Sequence, residues 1–174
     1  VYSESAIRHA YMEFERCFTR QSHAICYAVK ANSNIAILQI LVELGAGFDI
    51  VSGGELKRVL AAGGSAETII FSGVGKQDWE IQLALEANIR CFNIESASEL
   101  RRVSRIAKSC DKVAPISIRV NPDVDPKTHP YISTGLKQNK FGVSAESART
   151  LYRKAANDPH LVITGIDCHI GSQI

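Results

Sequence analysis

The sequence predicts an α/β fold, a parallel sheet of the (β/α)8 barrel type with about six of the eight strands present. Three observations carry this. Short apolar runs rich in β-branched and aromatic residues begin at 25, 48, 68, 90, 115 and 161. They are continuous rather than alternating, as strands covered on both faces of a parallel sheet are. Helical patterns fill the intervals at a period near twenty-two residues, and no G-x-G-x-x-G follows the first strand, which favours a barrel over an open doubly wound sheet.

The elements follow in order. Residues 4–18 form an amphipathic helix ahead of the first strand, ICYAV (25–29). Segment 35–44, apolar almost all round, is a helix with Asn34 as N-cap and Gly45 as its stop. FDIV (48–51) is the second strand. Ser52 and Glu55 then make a capping-box pair ahead of LKRVLAA, and Ser96 with Glu99 repeats the device ahead of Leu100, Val103 and Ile106. TIIF (68–71), RCFNI (90–94) and PISIRV (115–120) are strands three to five, with a helix over 77–87. A long insertion follows strand five. A helix over 144–156, capped by Ser144, then leads into LVITGIDCHI (161–170).

Bulk properties exclude several function classes. The 174 residues suffice for one sizeable core, and 45% hydrophobic with 22% charged residues is an ordinary globular composition. A net charge of +2 gives no reason to expect a nucleic-acid or membrane partner. Arg101, Arg102 and Arg105 read as a solvated helix face. The five cysteines show no C-x-x-C, so neither a zinc knuckle nor a thioredoxin-type site is indicated, and the five histidines show no metal-ligand spacing. Cys26, Cys91 and Cys168 lie in apolar runs, as small buried hydrophobes do, and a reducing, cytoplasmic setting is expected. The chain opens on Val1 and stops after HIGSQI, so residues 1–174 are expected to be a partial barrel domain, a fragment of a longer chain.

Chemistry in barrels sits at the C-terminal ends of the strands. The residues there are Lys30 and Asn32; Asp49 and Ser52; Ser72 and Gly73; Asn93 and Glu95; Arg119 and Asn121; and His169, Gly171 and Ser172. Lys30 is either a lysine snorkelling out of a strand end or a partly desolvated amine that forms a Schiff base. His169 is either a satisfied core histidine or an aromatic plate against a ring-shaped cofactor. The small residues after it, Gly171 and Ser172, offer backbone N–H groups and a hydroxyl to a phosphate. Arg119 on an apolar strand needs an anionic partner, which a bound ligand or an ion pair with Asp49 would supply. Rival motifs fail. A Walker loop ending at Gly75-Lys76 needs glycine where Ile70 stands and Ser or Thr where Gln77 stands, and no G-x-S-x-G occurs.

YAVKAN (27–32), GFDIVSGGEL (47–56), FSGVGK (71–76), FNIES (92–96), RVNPDVDPKTHPYISTG (119–135), NKFGV (139–143) and GIDCHIGSQI (165–174) go further together. They resemble the fold-type III pyridoxal-phosphate-dependent decarboxylases, and within them the diaminopimelate branch. The resemblance runs from about residue 3 to 174, with 119–135 and DCHIGSQ its most specific parts. It implies a pyridoxal-phosphate-binding barrel in which Lys30 holds pyridoxal 5'-phosphate and His169 stacks on its ring. Gly171 and Ser172 would lie near the phosphate, Arg119 in the cofactor pocket and Asp49 close to the lysine. His129, Tyr131 and Ser133 would belong to a loop that closes over substrate.

The implied activity is that of a lyase: decarboxylation of meso-diaminopimelate to lysine and CO2, the last step of lysine biosynthesis, in a full-length homodimer. The alternatives are decarboxylation of ornithine, arginine or carboxynorspermidine, or a non-catalytic pyridoxal-phosphate-binding protein. The family's acid for the ring nitrogen, its glycine-rich phosphate loop and its C-terminal β-domain, which lends a cysteine and a tyrosine to the partner subunit, are absent from these residues. Residues 1–174 alone are therefore expected to be inactive.

Overall fold

A computed structural model describes residues 1–122 and 141–170. They fall into two compact units, Val1–Phe71 with Ala87–Arg90, and Ser72–Glu86 with Cys91–Ile174. Among the described residues there are six strands and six α-helices, alternating after the opening helix as the period predicts.

The first unit begins with α1 (Glu4–Arg16), capped by Ser3, whose side chain accepts from the Ala6 N–H. None of the residues of α1 is fully buried, so its amphipathic pattern covers a surface rather than filling a core. Next come β1 (Cys26–Ala28), α2 (Ile35–Glu43), β2 (Gly47–Ile50), α3 (Gly53–Ala61) and β3 (Ile69–Phe71). Both pairings, β1 with β2 and β2 with β3, are parallel. Val29, Leu38, Phe48, Ile50, Leu56, Val59, Ile69 and Phe71 form its solvent-free core.

The predicted caps are in place. Asn34 Oδ1 accepts from the Ala36 N–H at 3.0 Å and Ser52 Oγ from the Glu55 N–H at 3.2 Å. Glu55 reaches back one residue beyond the N-cap, to the Val51 N–H at 2.7 Å. Gly47 is dictated by packing. A Cβ there would lie 2.8 Å from Cys26 Sγ and 2.8 Å from the Thr68 carbonyl oxygen, which no side chain can do.

The second unit carries α4 (Asp78–Ala87), β4 (Cys91–Ile94), α5 (Ala97–Ser109), β5 (Ala114–Arg119), α6 (Ala145–Ala156) and β6 (Leu161–Asp167). β4 pairs with β5 and β5 with β6, again in parallel. Ile81, Phe92, Ile94, Val103, Ile116 and Ile118 make its core. Ser96 and Ser144 cap α5 and α6 as predicted.

Two expectations are corrected here. β6 is shorter than the predicted run and largely exposed, with only Leu161 buried, because no described residues cover its outer side; Ile166 is 69% exposed. Cys91 is buried, but Cys26 is only partly so, and Cys168, lying past the end of β6, is exposed. The arginines of α5 are exposed, as expected of a solvated face. Arg102 and Arg105 both pair with Asp78, and Arg102 also donates to the Lys76 carbonyl, so they fasten α5 to the start of α4.

The β5–β6 ladder slips between Ile116 and Ser117, leaving Thr164 as an extra residue on β6. The Thr164 hydroxyl donates to the Ile116 carbonyl at 3.1 Å. The Tyr152 hydroxyl from α6 accepts from the Ile118 N–H at 3.2 Å and donates to the Gly165 carbonyl at 2.7 Å, satisfying the groups that the slip releases. As a result Asp167, not Ile166, stands opposite Arg119.

Candidate functional site

In the first unit the chemistry gathers where β1 ends. The chain leaves the strand through a single 3-10 turn, Val29–Ala31, whose first residue is fully buried. Lys30 sits on that turn, not on the pleated face of the strand. It is therefore exposed, and the partly desolvated amine expected from the apolar run is not what the described residues form. Lys30 makes no hydrogen bond or ion pair to another described residue.

The turn itself is braced. The Tyr27 hydroxyl donates to the Asn32 carbonyl at 3.3 Å, and Asn32 Oδ1 accepts from the Asn34 N–H at 2.9 Å. Asp49 lies on β2 directly beside Ala28 in the ladder. Glu55 completes the group. Its carboxyl is raised above its ordinary pKa chiefly by burial; Asp49 raises it further, while the Val51 N–H and the Lys30 ammonium pull it down. An amine and two carboxylates thus stand within electrostatic reach of one another. Lys30 and Asp49 were predicted for the site. Glu55 was read only as a cap, and nothing in its sequence neighbourhood tied it to Lys30.

In the second unit the polar group is built on Arg119, the last residue of β5. Its Nη1 donates to Glu95 Oε1 at 3.2 Å, its Nε lies 3.9 Å from Asp167 Oδ2, and its guanidinium carbon is 5.6 Å from the centre of the Phe141 ring. Among the described residues, Arg119 pairs with Glu95 and Asp167, both within its own unit. Sequence reasoning had offered Asp49. Glu95 was among the strand-end residues but had no assigned part, and Asp167 became legible only through the slipped ladder.

Glu95 is 1% exposed in its side chain; Oε1 also accepts from the Gly73 N–H at 3.1 Å, and Oε2 is buried with no hydrogen-bond partner among the described residues. Beneath it lies a second buried set. Lys76 Nζ donates to Gly73 O at 2.6 Å, Asn93 O at 2.8 Å and Glu99 Oε1 at 2.5 Å. Lys76 belongs to no phosphate loop; it is an internal tie. Asn93 Nδ2 donates to Ser72 Oγ at 3.1 Å, so the ends of β4 and the loop before α4 are held together.

Gly142 is also bound up with Arg119. It holds φ +82°, and a Cβ there would fall 2.9 Å from the Arg119 carbonyl oxygen. That oxygen accepts from the Val143 N–H at 2.9 Å. Gly142→Ala is expected to cost about 1–3 kcal/mol through left-handed backbone strain and this close approach. A lower urea midpoint for the variant of the full-length protein would show it, and an unchanged midpoint would refute it.

His169 lies two residues past β6 and is partly buried. Gly171, Ser172, His129, Tyr131 and Ser133 lie outside the described residues. A cleft of about 300 Å³ between α5 and α6 is lined by Leu100, Ser104, Leu151 and Leu161. It sits at the beginning of β6, away from the strand ends that carry Arg119 and Asn93. Among the described residues, no helix is long and apolar enough to cross a membrane.

Comparison with known proteins gives this arrangement a family. The chain is 58% identical over 174 residues to the diaminopimelate decarboxylase of Haemophilus influenzae and 57% identical to that of Neisseria meningitidis. All of the chain is matched in both, against 42% and 43% of those proteins, so it spans less than half the length of these relatives. Among solved structures it resembles diaminopimelate decarboxylase from Helicobacter pylori complexed with L-lysine. The TM-score is 0.97 at 46% identity, over 99% of this chain and 44% of that one. The enzyme from M. jannaschii in co-complex with L-lysine gives 0.91 at 42% identity, over 99% of this chain and 42% of that one. The likeness bears out the predicted α/β class. The family model for the pyridoxal-dependent decarboxylase, pyridoxal binding domain, matches residues 4–174, and the chain therefore belongs to the pyridoxal-dependent decarboxylase family.

Proposed function

We infer that the full-length protein containing this chain is a pyridoxal-phosphate-dependent carboxy-lyase that converts meso-diaminopimelate to lysine and CO2. The observation that carries the reading is Lys30. An accessible primary amine stands on a braced turn straight after β1, with Asp49 and Glu55 in electrostatic reach, in a sequence 58% identical to a diaminopimelate decarboxylase.

The residues present fit the cofactor. Lys30 offers the amine that an aldehyde requires, and the buried Glu95 Oε2, lacking a donor among the described residues, marks the Arg119 cluster as more than a filled structural ion pair. Lys30 would hold the cofactor covalently, with Asp49 beside it. Arg119 and His169 would contribute a fixed positive charge and a flat aromatic face, and Gly171 and Ser172 would serve the phosphate. When bound, pyridoxal phosphate supplies the electron sink for the pair left behind as CO2 departs.

The remaining work falls to the chain. Asp49 and Glu55 balance the Lys30 ammonium while it is charged. With the cofactor bound, Lys30 Nζ would also be the chain's own amine able to carry a proton, and in its ammonium form it would donate that proton to the substrate carbon. Arg119 keeps its charge throughout, since a guanidinium does not titrate in this range. His129, Tyr131 and Ser133 are assigned to substrate closure. We further assign the enzyme to the cytoplasm, in keeping with five free cysteines, and to a homodimer.

CO2 release by the full-length protein, supplied with pyridoxal phosphate, tests the assignment against meso-diaminopimelate, ornithine, lysine and arginine. Release from diaminopimelate alone is the expected result. Release from ornithine or arginine instead would move the enzyme to a sister branch. Cofactor uptake with no release from any of the four would make it a binding protein.

A further inference from the structure

Glu95 follows β4 directly and is the most enclosed acid of the second unit's polar group. Its backbone is fixed from below, because its N–H donates to Glu99 Oε2 at 3.1 Å while Glu99 Oε1 receives Lys76. The same lysine ties down the carbonyl of Gly73, whose N–H donates to Glu95 Oε1. Everything around Glu95 therefore holds its carboxylate still. Of the side chains it touches among the described residues, Arg119 is the one at the strand ends where the cofactor is expected.

Burying a carboxylate is costly, and a purely structural acid recovers the cost by filling both oxygens. Glu95 fills one. Oε1 takes both the Gly73 N–H and Arg119 Nη1, while Oε2 has no donor among the described residues. The charge is thus underused for stability but well placed to hold a guanidinium. Asp167 is the weaker holder, being farther from Arg119 at 3.9 Å and more exposed.

We propose that Glu95 is a positioning residue of the decarboxylase site, holding the Arg119 guanidinium in the place from which Arg119 meets the bound cofactor. Glu95 acts through Arg119 and touches no reacting atom. The inference rests on the pyridoxal-phosphate reading given above.

The test is Glu95→Gln in the full-length protein, with pyridoxal phosphate titrated into the apo form by fluorescence and the bound form followed by its visible absorption band. Glutamine keeps the shape and the Gly73 hydrogen bond but removes the charge that holds Arg119. We expect cofactor affinity to fall by about tenfold or more, with a shifted band and a melting temperature close to the parent's. In Arg119→Lys the same loss is expected, and Glu95→Gln/Arg119→Lys should be no worse than Arg119→Lys alone, because the two act as one unit. If Glu95→Gln does not fold, Glu95→Asp keeps the charge and withdraws it, and the same loss of affinity is expected there. Variants that bind cofactor with the parent's affinity and band, or losses that add in the double variant, overturn the inference. A parent that takes up no pyridoxal phosphate overturns the cofactor reading itself, and this inference with it; failure of the variants alone leaves that reading standing.

Discussion

Lys30→Ala in the full-length protein is expected to lower CO2 release from meso-diaminopimelate by on the order of 10³-fold or more, and to abolish covalent retention of pyridoxal phosphate. The size follows from the role. The amine is the only group on the 3-10 turn after β1 able to form a carbon–nitrogen double bond with an aldehyde, and alanine has nothing to replace it. Stability should hardly change. Lys30 is exposed and unbonded to other described residues, and the turn is fixed by Tyr27, Asn32 and Asn34 rather than by the lysine. An unchanged melting temperature with lost turnover separates loss of chemistry from loss of fold. Lys30→Ala with turnover near the parent's would remove Lys30 from the mechanism altogether.

Lys76→Met should act chiefly on the fold, weakening it by about 3–5 kcal/mol. Lys76 is 2% exposed, and its ammonium satisfies Glu99 and two backbone carbonyls at once. Taking it away strands a buried carboxylate. Burial already raises Glu99 above its ordinary pKa of 4.5, against the opposing pull of Lys76 and the Glu95 N–H. Removing the lysine takes away part of that opposition and raises Glu99 further.

A carboxyl raised in the folded state favours folding while protonated, below its unfolded pKa, and that contribution is lost as pH climbs through the folded value. The deficit of Lys76→Met is therefore expected to be largest at neutral pH and to shrink as the pH falls toward 4.5. Urea midpoints across that interval would read it. Lys76→Met/Glu99→Gln should recover much of the loss, since no charge is then stranded. A deficit independent of pH would show that lost packing, not the stranded carboxylate, sets the cost.

Much of this molecule is legible in the chain's spacing. The apolar runs recur at a near-constant interval, so parallel strands and their intervening helices follow from pattern alone, and Asn34, Ser52, Ser96 and Ser144 announce the helix starts through local chemistry. The resemblance of YAVKAN and GFDIVSGGEL located Lys30 and Asp49, because a residue that follows a strand by one turn is placed by the chain itself.

What spacing could not show are the partners brought from far away. Lys76 stands in a glycine-bearing loop and looks like a solvated cation, yet it is bonded to Asn93 and Glu99, residues 17 and 23 positions along. Arg119 needed an acid, and the strand ends named from the sequence offered two, Asp49 and Glu95. The choice of Asp167 depends on a single extra residue at Thr164, which shifts the β5–β6 register and exchanges an isoleucine for an aspartate opposite the guanidinium. Periodicity fixes which elements form and where their ends lie, because hydrogen bonding and burial within an element are local. Which charges meet at those ends depends on register and on packing between elements, and there a one-residue slip is enough to change the answer.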